Sequence, residues 1–168
     1  MKIKMLALDV DGVMTDGSIY YTREGEEIKA FHAQDGMGIK YLRKSGVHVV
    51  VISGRNSPPL LRRLKDLGIR HYRLKCGNKV EALCDICDDL GIDLSETAFM
   101  GDDLIDLAVM QAAGYAISPE NGCNEVKAIA NFITPRCGGH GAVRDACEHV
   151  ADMNDIRLVD LVDGKHRV

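Results

Sequence analysis

Short apolar runs alternate with amphipathic helical stretches along almost the whole chain, and that alternation leaves few folds open. Runs at residues 5–10, 47–53, 71–74, 97–101, 115–118 and 132–134 have strand length and apolar character. Helical patterns lie between them. One begins after Asp35 and stops at Gly46; a second follows Pro58 and Pro59, with residues 60, 61, 64 and 67 apolar, and stops at Gly68. A third, 79–90, closes at Gly91, and a fourth, from about 104 to 113, closes at Gly114. Proline near a helix start and glycine just past its end is the expected asymmetry. Strands alternating with helices predict right-handed crossovers and an α/β fold around a mostly parallel sheet covered on both faces. Ligands of such sheets bind outside the carboxyl ends of the strands.

At 168 residues a single domain over 1–168 is expected, large enough to bury a substantial core. A hydrophobic content of 46% and a charged content of 27% fit an ordinary globular protein. The net charge of −4 argues against a nucleic-acid partner, which normally demands a basic field. No apolar stretch approaches the roughly 20 residues needed to span a bilayer, so no membrane partner is expected. Met1-Lys2-Ile3-Lys4 leads directly into a strand, which predicts no signal peptide and a cytoplasmic location. The six cysteines are then expected to be free thiols. Cys84 and Cys87 form a C-x-x-C, a spacing that can serve redox or zinc chemistry. Both fall on a helical stripe of apolar positions 80, 83, 84, 87 and 90, so core packing is the expectation. Residues 163–168 are expected to fray.

Two segments depart from the alternation. Residues 18–32 contain two strand-like runs around Arg23-Glu24-Gly25-Glu26 and read as a β-hairpin insertion. A lone hairpin is marginally stable and its edges invite pairing, so packing against another subunit is expected, with a protruding flap on a monomer as the alternative. The second segment, Pro135-Arg136-Cys137-Gly138-Gly139-His140-Gly141, is rich in glycine. It is either a loop approaching a ligand or a flexible joint before the last helix.

Chemistry concentrates at the predicted strand ends. The run Leu6-Ala7-Leu8-Asp9-Val10-Asp11-Gly12 finishes an apolar strand with two carboxylates. Ionised carboxylates are rarely buried without a partner, and a divalent cation would reconcile Asp9 and Asp11 with that strand. Val49-Val50-Val51-Ile52-Ser53-Gly54-Arg55 delivers a hydroxyl, a glycine amide and a cation. Lys79 opens a helix, where its charge opposes the helix dipole and hints at another task. Gly101-Asp102-Asp103-Leu104-Ile105-Asp106 again ends a strand in acids.

This set resembles the four motifs of the haloacid dehalogenase superfamily of phosphohydrolases, carried by Asp9-x-Asp11-Gly-Val, Ser53, Lys79 and Gly101-Asp102-Asp103 with Asp106. A finer similarity adds the hairpin, Asp35-Gly36-x-Gly38-Ile39, Ser53-Gly54-Arg55, Asn78-Lys79 and Gly138-Gly139-x-Gly141-Ala142-Val143-Arg144, and covers nearly the entire chain. It points to the branch that hydrolyses 3-deoxy-D-manno-octulosonate 8-phosphate, a lipopolysaccharide precursor. The resemblance implies a Rossmann-like parallel sheet sandwiched by helices, with the hairpin in place of a cap domain. It also implies a homotetramer, built through the hairpins, that closes each active site.

The residue chemistry fits a phosphomonoester hydrolase. Asp9 would attack phosphorus as the nucleophile and form an aspartyl-phosphate. Asp11 would protonate the departing oxygen and later take a proton from water. Mg²⁺, which favours oxygen ligands, would be held by the Asp9 carboxylate, the Asp11 backbone carbonyl and Asp102. Ser53, Gly54 and Lys79 would cradle the phosphate oxygens. By resemblance Asp103 and Asp106 support the metal site; either could instead be a helix N-terminal acid favoured by the dipole. Arg62, Arg63, Lys65, Arg70, Arg73 and Lys75 face only one acid, Asp66, in their stretch, which suits either a sugar-acid substrate or a solvated face. Arg55, next to Ser53-Gly54, is the first candidate to grip a substrate carboxylate; Arg63, matched by a helical arginine in the family, is the second. His140 replaces an arginine often found in the family. A nonulosonate 9-phosphate or general sugar phosphatase is the nearest alternative. From another class, a phospho-acceptor signalling domain gathers similar residues, but Asp11 supplies an acid–base group for turnover.

Overall fold

The computed structural model describes residues 2–162, so the expected fraying of 163–168 lies outside the described residues. The strands are β1 (Met5–Leu8), β2 (Tyr20–Tyr21), β3 (Glu27–Ile28), β4 (His48–Ile52), β5 (Tyr72–Arg73), β6 (Thr97–Met100), β7 (Tyr115–Ser118) and β8 (Phe132–Ile133). The α-helices are α1 (Ala33–Lys44), α2 (Pro58–Leu67), α3 (Lys79–Leu90), α4 (Leu107–Ala112), α5 (Asn124–Ile129) and α6 (Ala142–Met153). Six strands form one sheet in the order β5-β4-β1-β6-β7-β8, every neighbouring pair parallel. The antiparallel pair β2-β3 stands apart as the hairpin.

Period-two alternation splits the core into two layers. Leu6, Leu8, Val49, Val51, Ala98 and Met100 face one layer with Ile39 and Leu42 of α1, Leu60 and Leu64 of α2, and Val143 and Val150 of α6. Met5, Ala7, Val50, Ile52 and Phe99 face the other with Leu83 and Ile86 of α3, Val109 and Met110 of α4, and Val126 of α5. A sheet buried on both faces needs near-continuous apolar strands, as observed in β1 and β4. The chain winds from β1 outward through β4 to β5, then returns to place β6 on the other side of β1. This reversal opens a crevice at the carboxyl ends of β1 and its neighbours.

The predicted strands and helices are present, with differences at their edges. Strand β7 spans 115–118 as expected, and the other strands are shorter by one or two residues, although single bonds such as Ser53 N–H to the Arg73 carbonyl continue the pairing past their ends. Helix α1 begins at Ala33, before Asp35. The fourth helical stretch opens as a 3₁₀ turn, Leu104–Asp106. Helix α5, six residues long, has too short a pattern to stand out. Along α3 the buried set is Lys79, Ala82, Leu83, Ile86 and Cys87. The stripe is therefore rotated from the expected one, leaving Cys84 half-buried and Cys87 in the core. All six cysteines are free thiols. Among the described residues, no helix is long and apolar enough to cross a membrane.

Candidate active site

After β1 the Asp9 N–H still donates to the Met100 carbonyl of β6 at 3.0 Å. The chain then turns tightly: the N–H groups of Val13, Met14 and Thr15 all donate to the Val10 carbonyl, at 3.3, 2.9 and 3.0 Å. Gly12 has a left-handed φ of 85°, and a Cβ there would fall onto the Asp102 carboxylate. Only glycine lets the loops after β1 and β6 come this close.

Lys79 joins two of the strand-end acids. Its Nζ lies 3.0 Å from Asp9 Oδ1 and 2.6 Å from Asp106 Oδ1, and all three residues are buried. The Asn78 side chain caps α3 by accepting from the N–H groups of Val80 and Glu81, which fixes the helix start. Lys79 thus sits at an unfavourable end of the helix dipole, and the two carboxylates offset that disadvantage. The second oxygen of Asp106 accepts from the N–H groups of Asp102 and Asp103, at 3.1 and 3.3 Å. Both of its oxygens are therefore engaged, and Asp106 organises the loop. Asp103 is exposed and caps the 3₁₀ turn, accepting from the Leu104 N–H at 2.8 Å.

One ligand oxygen each from Asp9, Asp102 and Asp106 lie within 4.8 Å of one another. Burial and then the Asp106 charge push the Asp9 carboxyl up to about 6, against the pull of Lys79. Burial, followed by the charges of Asp9, Asp106 and Asp103, raises Asp102 to about 7. Burial alone would lower the Lys79 ammonium, but Asp9 and Asp106 more than reverse this and raise it. Crowded oxygen donors that resist ionisation together fit a hard divalent cation, whose charge would remove the repulsion. With Asp106 engaged by protein donors, Asp9 and Asp102 have the oxygens best placed to take one.

Asp9, Asp11, Ser53, Gly54, Arg55, Asp102 and Asp103 line one cavity of about 240 Å³ with Gly17 and Ile105. Lys79 reaches it through Asp9, while the Ser53 hydroxyl accepts from the Arg55 N–H at 3.1 Å. A larger groove of about 520 Å³ runs between α2 and Tyr72 and has no carboxylate in its lining.

Arg63, the second candidate for the substrate, does not line this cavity. Its Nη2 donates to the His32 carbonyl at 3.0 Å and its guanidinium lies 5.5 Å from the Phe31 ring centroid. The basic stretch around it is largely surface: Arg62 pairs with Asp66 and Arg73 with Asp89, both exposed. The glycine-rich segment is neither of the expected alternatives alone. A Cβ on Gly138 would fall onto the Gly12 carbonyl, and the Gly139 N–H donates to the Val13 carbonyl at 3.2 Å. The segment therefore buttresses the loop carrying Asp9 and Asp11. His140 is exposed.

Residues missed in the sequence complete the site. Asn121 donates to the Gly12 carbonyl at 2.9 Å and accepts from the Gly138 N–H at 2.6 Å, locking the two loops together. The hairpin folds its own Glu27 and Lys29 against Asp11 and Arg55. Hydrogen bonds to Tyr21 and Glu27 raise the Arg55 guanidinium. The alternation of Glu27 and Lys29 around Ile28 was the available signal for a charged inner face.

A profile of the haloacid dehalogenase-like hydrolases matches residues 74–144. The chain is 39% identical over 148 residues to the 3-deoxy-D-manno-octulosonate 8-phosphate phosphatase of Haemophilus influenzae, covering 88% of this chain and 82% of that protein. The crystal structure of the phosphatase of the same name from Moraxella catarrhalis, in complex with magnesium ion, phosphate ion and KDO, superposes with a TM-score of 0.87. The two are 45% identical, over 89% of this chain and 86% of that one. The cobalt-bound Haemophilus influenzae phosphatase gives a TM-score of 0.89 at 38% identity, over 92% of this chain and 90% of that one.

Proposed function

The chain belongs to the haloacid dehalogenase-like phosphatases, in the family of the 3-deoxy-D-manno-octulosonate 8-phosphate phosphatases, and from that premise we propose that it hydrolyses this sugar-acid phosphate through an aspartyl-phosphate. The reading is carried by the meeting of Asp9 and Asp11 at the end of β1 with Lys79 and Asp102 from two other elements. Asp9 attacks phosphorus and the P–O bond to the sugar breaks. Asp11 donates a proton to the departing sugar oxygen, then accepts one from the water that hydrolyses the acyl-phosphate. The Ser53 hydroxyl, the Gly54 amide and Lys79 hold the phosphate oxygens. Mg²⁺ held by the Asp9 carboxylate, the Asp11 backbone carbonyl and Asp102 would offset repulsion between nucleophile and anionic ester. Asp103 and Asp106 fix the loop that presents Asp102.

Arg55 grips the substrate carboxylate. In support, it already binds a carboxylate, that of Glu27, through Nη2 at 2.6 Å. The single domain works in the cytoplasm as a homotetramer assembled through the hairpin, whose Ile19, Tyr20, Tyr21 and Ile28 are 46%, 51%, 62% and 51% exposed. Apolar surface gathered on a marginal element favours association. Phosphate release is measured on 3-deoxy-D-manno-octulosonate 8-phosphate, a nonulosonate 9-phosphate and glucose 6-phosphate, with Mg²⁺ and with EDTA. The eight-carbon ester should give the highest kcat/KM and EDTA should abolish it. A higher value for either other ester overturns the substrate, and EDTA-resistant turnover overturns the cofactor.

A further inference from the structure

Lysine is almost never fully buried unless its charge is paired. Yet Lys29, just past the end of an otherwise exposed hairpin strand, has a side chain only 1% exposed. Its ammonium contacts Asp11 Oδ1 and lies 2.9 Å from Glu27 Oε1. Glu27 Oε2 in turn accepts from Arg55 Nη2 at 2.6 Å, and Arg55 Nε lies 3.6 Å from Asp11 Oδ2. Asp11, Lys29, Glu27 and Arg55 thus close a ring of two acids and two bases, of which Asp11 and Arg55 line the cavity. The ring is built by alternation: Glu27 and Lys29 share the inner face of the strand while Ile28 points outward.

We infer that Lys29 is a positioning residue for the reaction, holding the Asp11 carboxyl oriented toward the leaving oxygen while Arg55 is free to engage substrate. The inference rests on the reading of Asp11 as the proton donor. An aspartate on a loop has several staggered orientations, and efficient proton transfer demands one of them. Of the two cations in the ring, Arg55 is the more exposed, at 41% against 1% for Lys29, and has the substrate carboxylate as its competing partner. When Arg55 leaves the ring, Lys29 remains as the fixed anchor of Asp11. The hairpin, proposed above to mediate association, therefore also contributes to its own subunit's site.

The test compares leaving groups. A poor alkoxide leaving group needs the proton from Asp11, whereas nitrophenolate leaves without it. First-turnover release of the leaving group is measured with Mg²⁺ for p-nitrophenyl phosphate and for the alkyl phosphate that the unaltered protein cleaves best. Lys29→Met and Lys29→Gln should slow release from the alkyl ester by roughly 10- to 100-fold. Nitrophenolate release should slow by less than about threefold, KM should move little, and Lys29→Arg should recover most of the loss. Equal loss on both esters, or no loss, overturns the inference and leaves Lys29 a structural tie. Asp11→Asn separates the two claims. If it shows the ester-dependent pattern and the Lys29 variants do not, the inference alone falls. If it slows both esters equally, the reading of Asp11 falls first.

Discussion

Metal binding should expel protons from the carboxylate cluster, by an amount that the site itself sets. With Asp102 raised to about 7 and Asp9 to about 6, the metal-free cluster should hold on the order of one proton near pH 6.5, more at pH 5.5 and almost none at pH 8. A cation bound to ionised carboxylates must displace those protons, so apparent Mg²⁺ affinity should fall about 100-fold between pH 8 and pH 5.5. Titration calorimetry in buffers of different protonation enthalpy counts the protons directly. Asp102→Asn should remove most of the release at pH 6.5. The same shifts fix the sign of the stability profile. Both carboxyls are raised above their ordinary values, so their contribution is full below pH 4 and is lost as pH rises through about 6 to 7. The metal-free protein should therefore melt lower at pH 8 than at pH 5, with Mg²⁺ restoring most at pH 8. Buffer-independent heats at pH 6.5, or equal proton release at pH 6.5 and pH 8, would refute the picture of a crowded, partly protonated cluster.

Three further outcomes follow from the geometry. Asp9→Asn should lower turnover by on the order of 10⁴ or more, yet raise the melting temperature of the metal-free protein at pH 8, because one of several crowded charges is gone while Lys79 keeps Asp106. A loss of both activity and stability would contradict it. Gly138→Ala should destabilise by about 1–3 kcal/mol, since its Cβ collides with the Gly12 carbonyl, and should lower kcat through the displaced Asp loop; calorimetry and steady-state kinetics check both. Ile28→Glu on the outer hairpin face should shift the sedimentation coefficient at micromolar concentration toward smaller assemblies, and an unchanged profile would count against assembly through the hairpin.

The layered parallel architecture was legible because burial on both sheet faces demands runs such as Val49-Val50-Val51-Ile52, whose alternation with helices calls for right-handed crossovers, while the strand order came only with the structure. The candidate site was legible for a related reason. Charged residues at the end of an apolar strand have few uses other than ligand chemistry, and Lys79 at a helix start was an electrostatic oddity before any partner was visible. What stayed hidden depends on contacts distant in sequence. Asn121 lies in an ordinary polar loop, and nothing local says that it spans Gly12 and Gly138. The contact of Arg63 was hidden for the same reason: nothing local says that an arginine on an amphipathic helix donates to the His32 carbonyl.

The hairpin shows how one short strand can carry two messages that composition averages away. Its mean character is unremarkable, with Glu27 and Lys29 interleaved with Ile28. Period two sorts them, sending charge inward to Asp11 and Arg55 and apolar surface outward. A one-residue slip of the strand would reverse both faces at once, burying Ile28 against charges and exposing the pair that holds Asp11. Two strands of two residues cannot hold that register by their own ladder. The ring of ion pairs must therefore help to fix the register, so that the groups holding Asp11 also decide which face of the hairpin is turned outward.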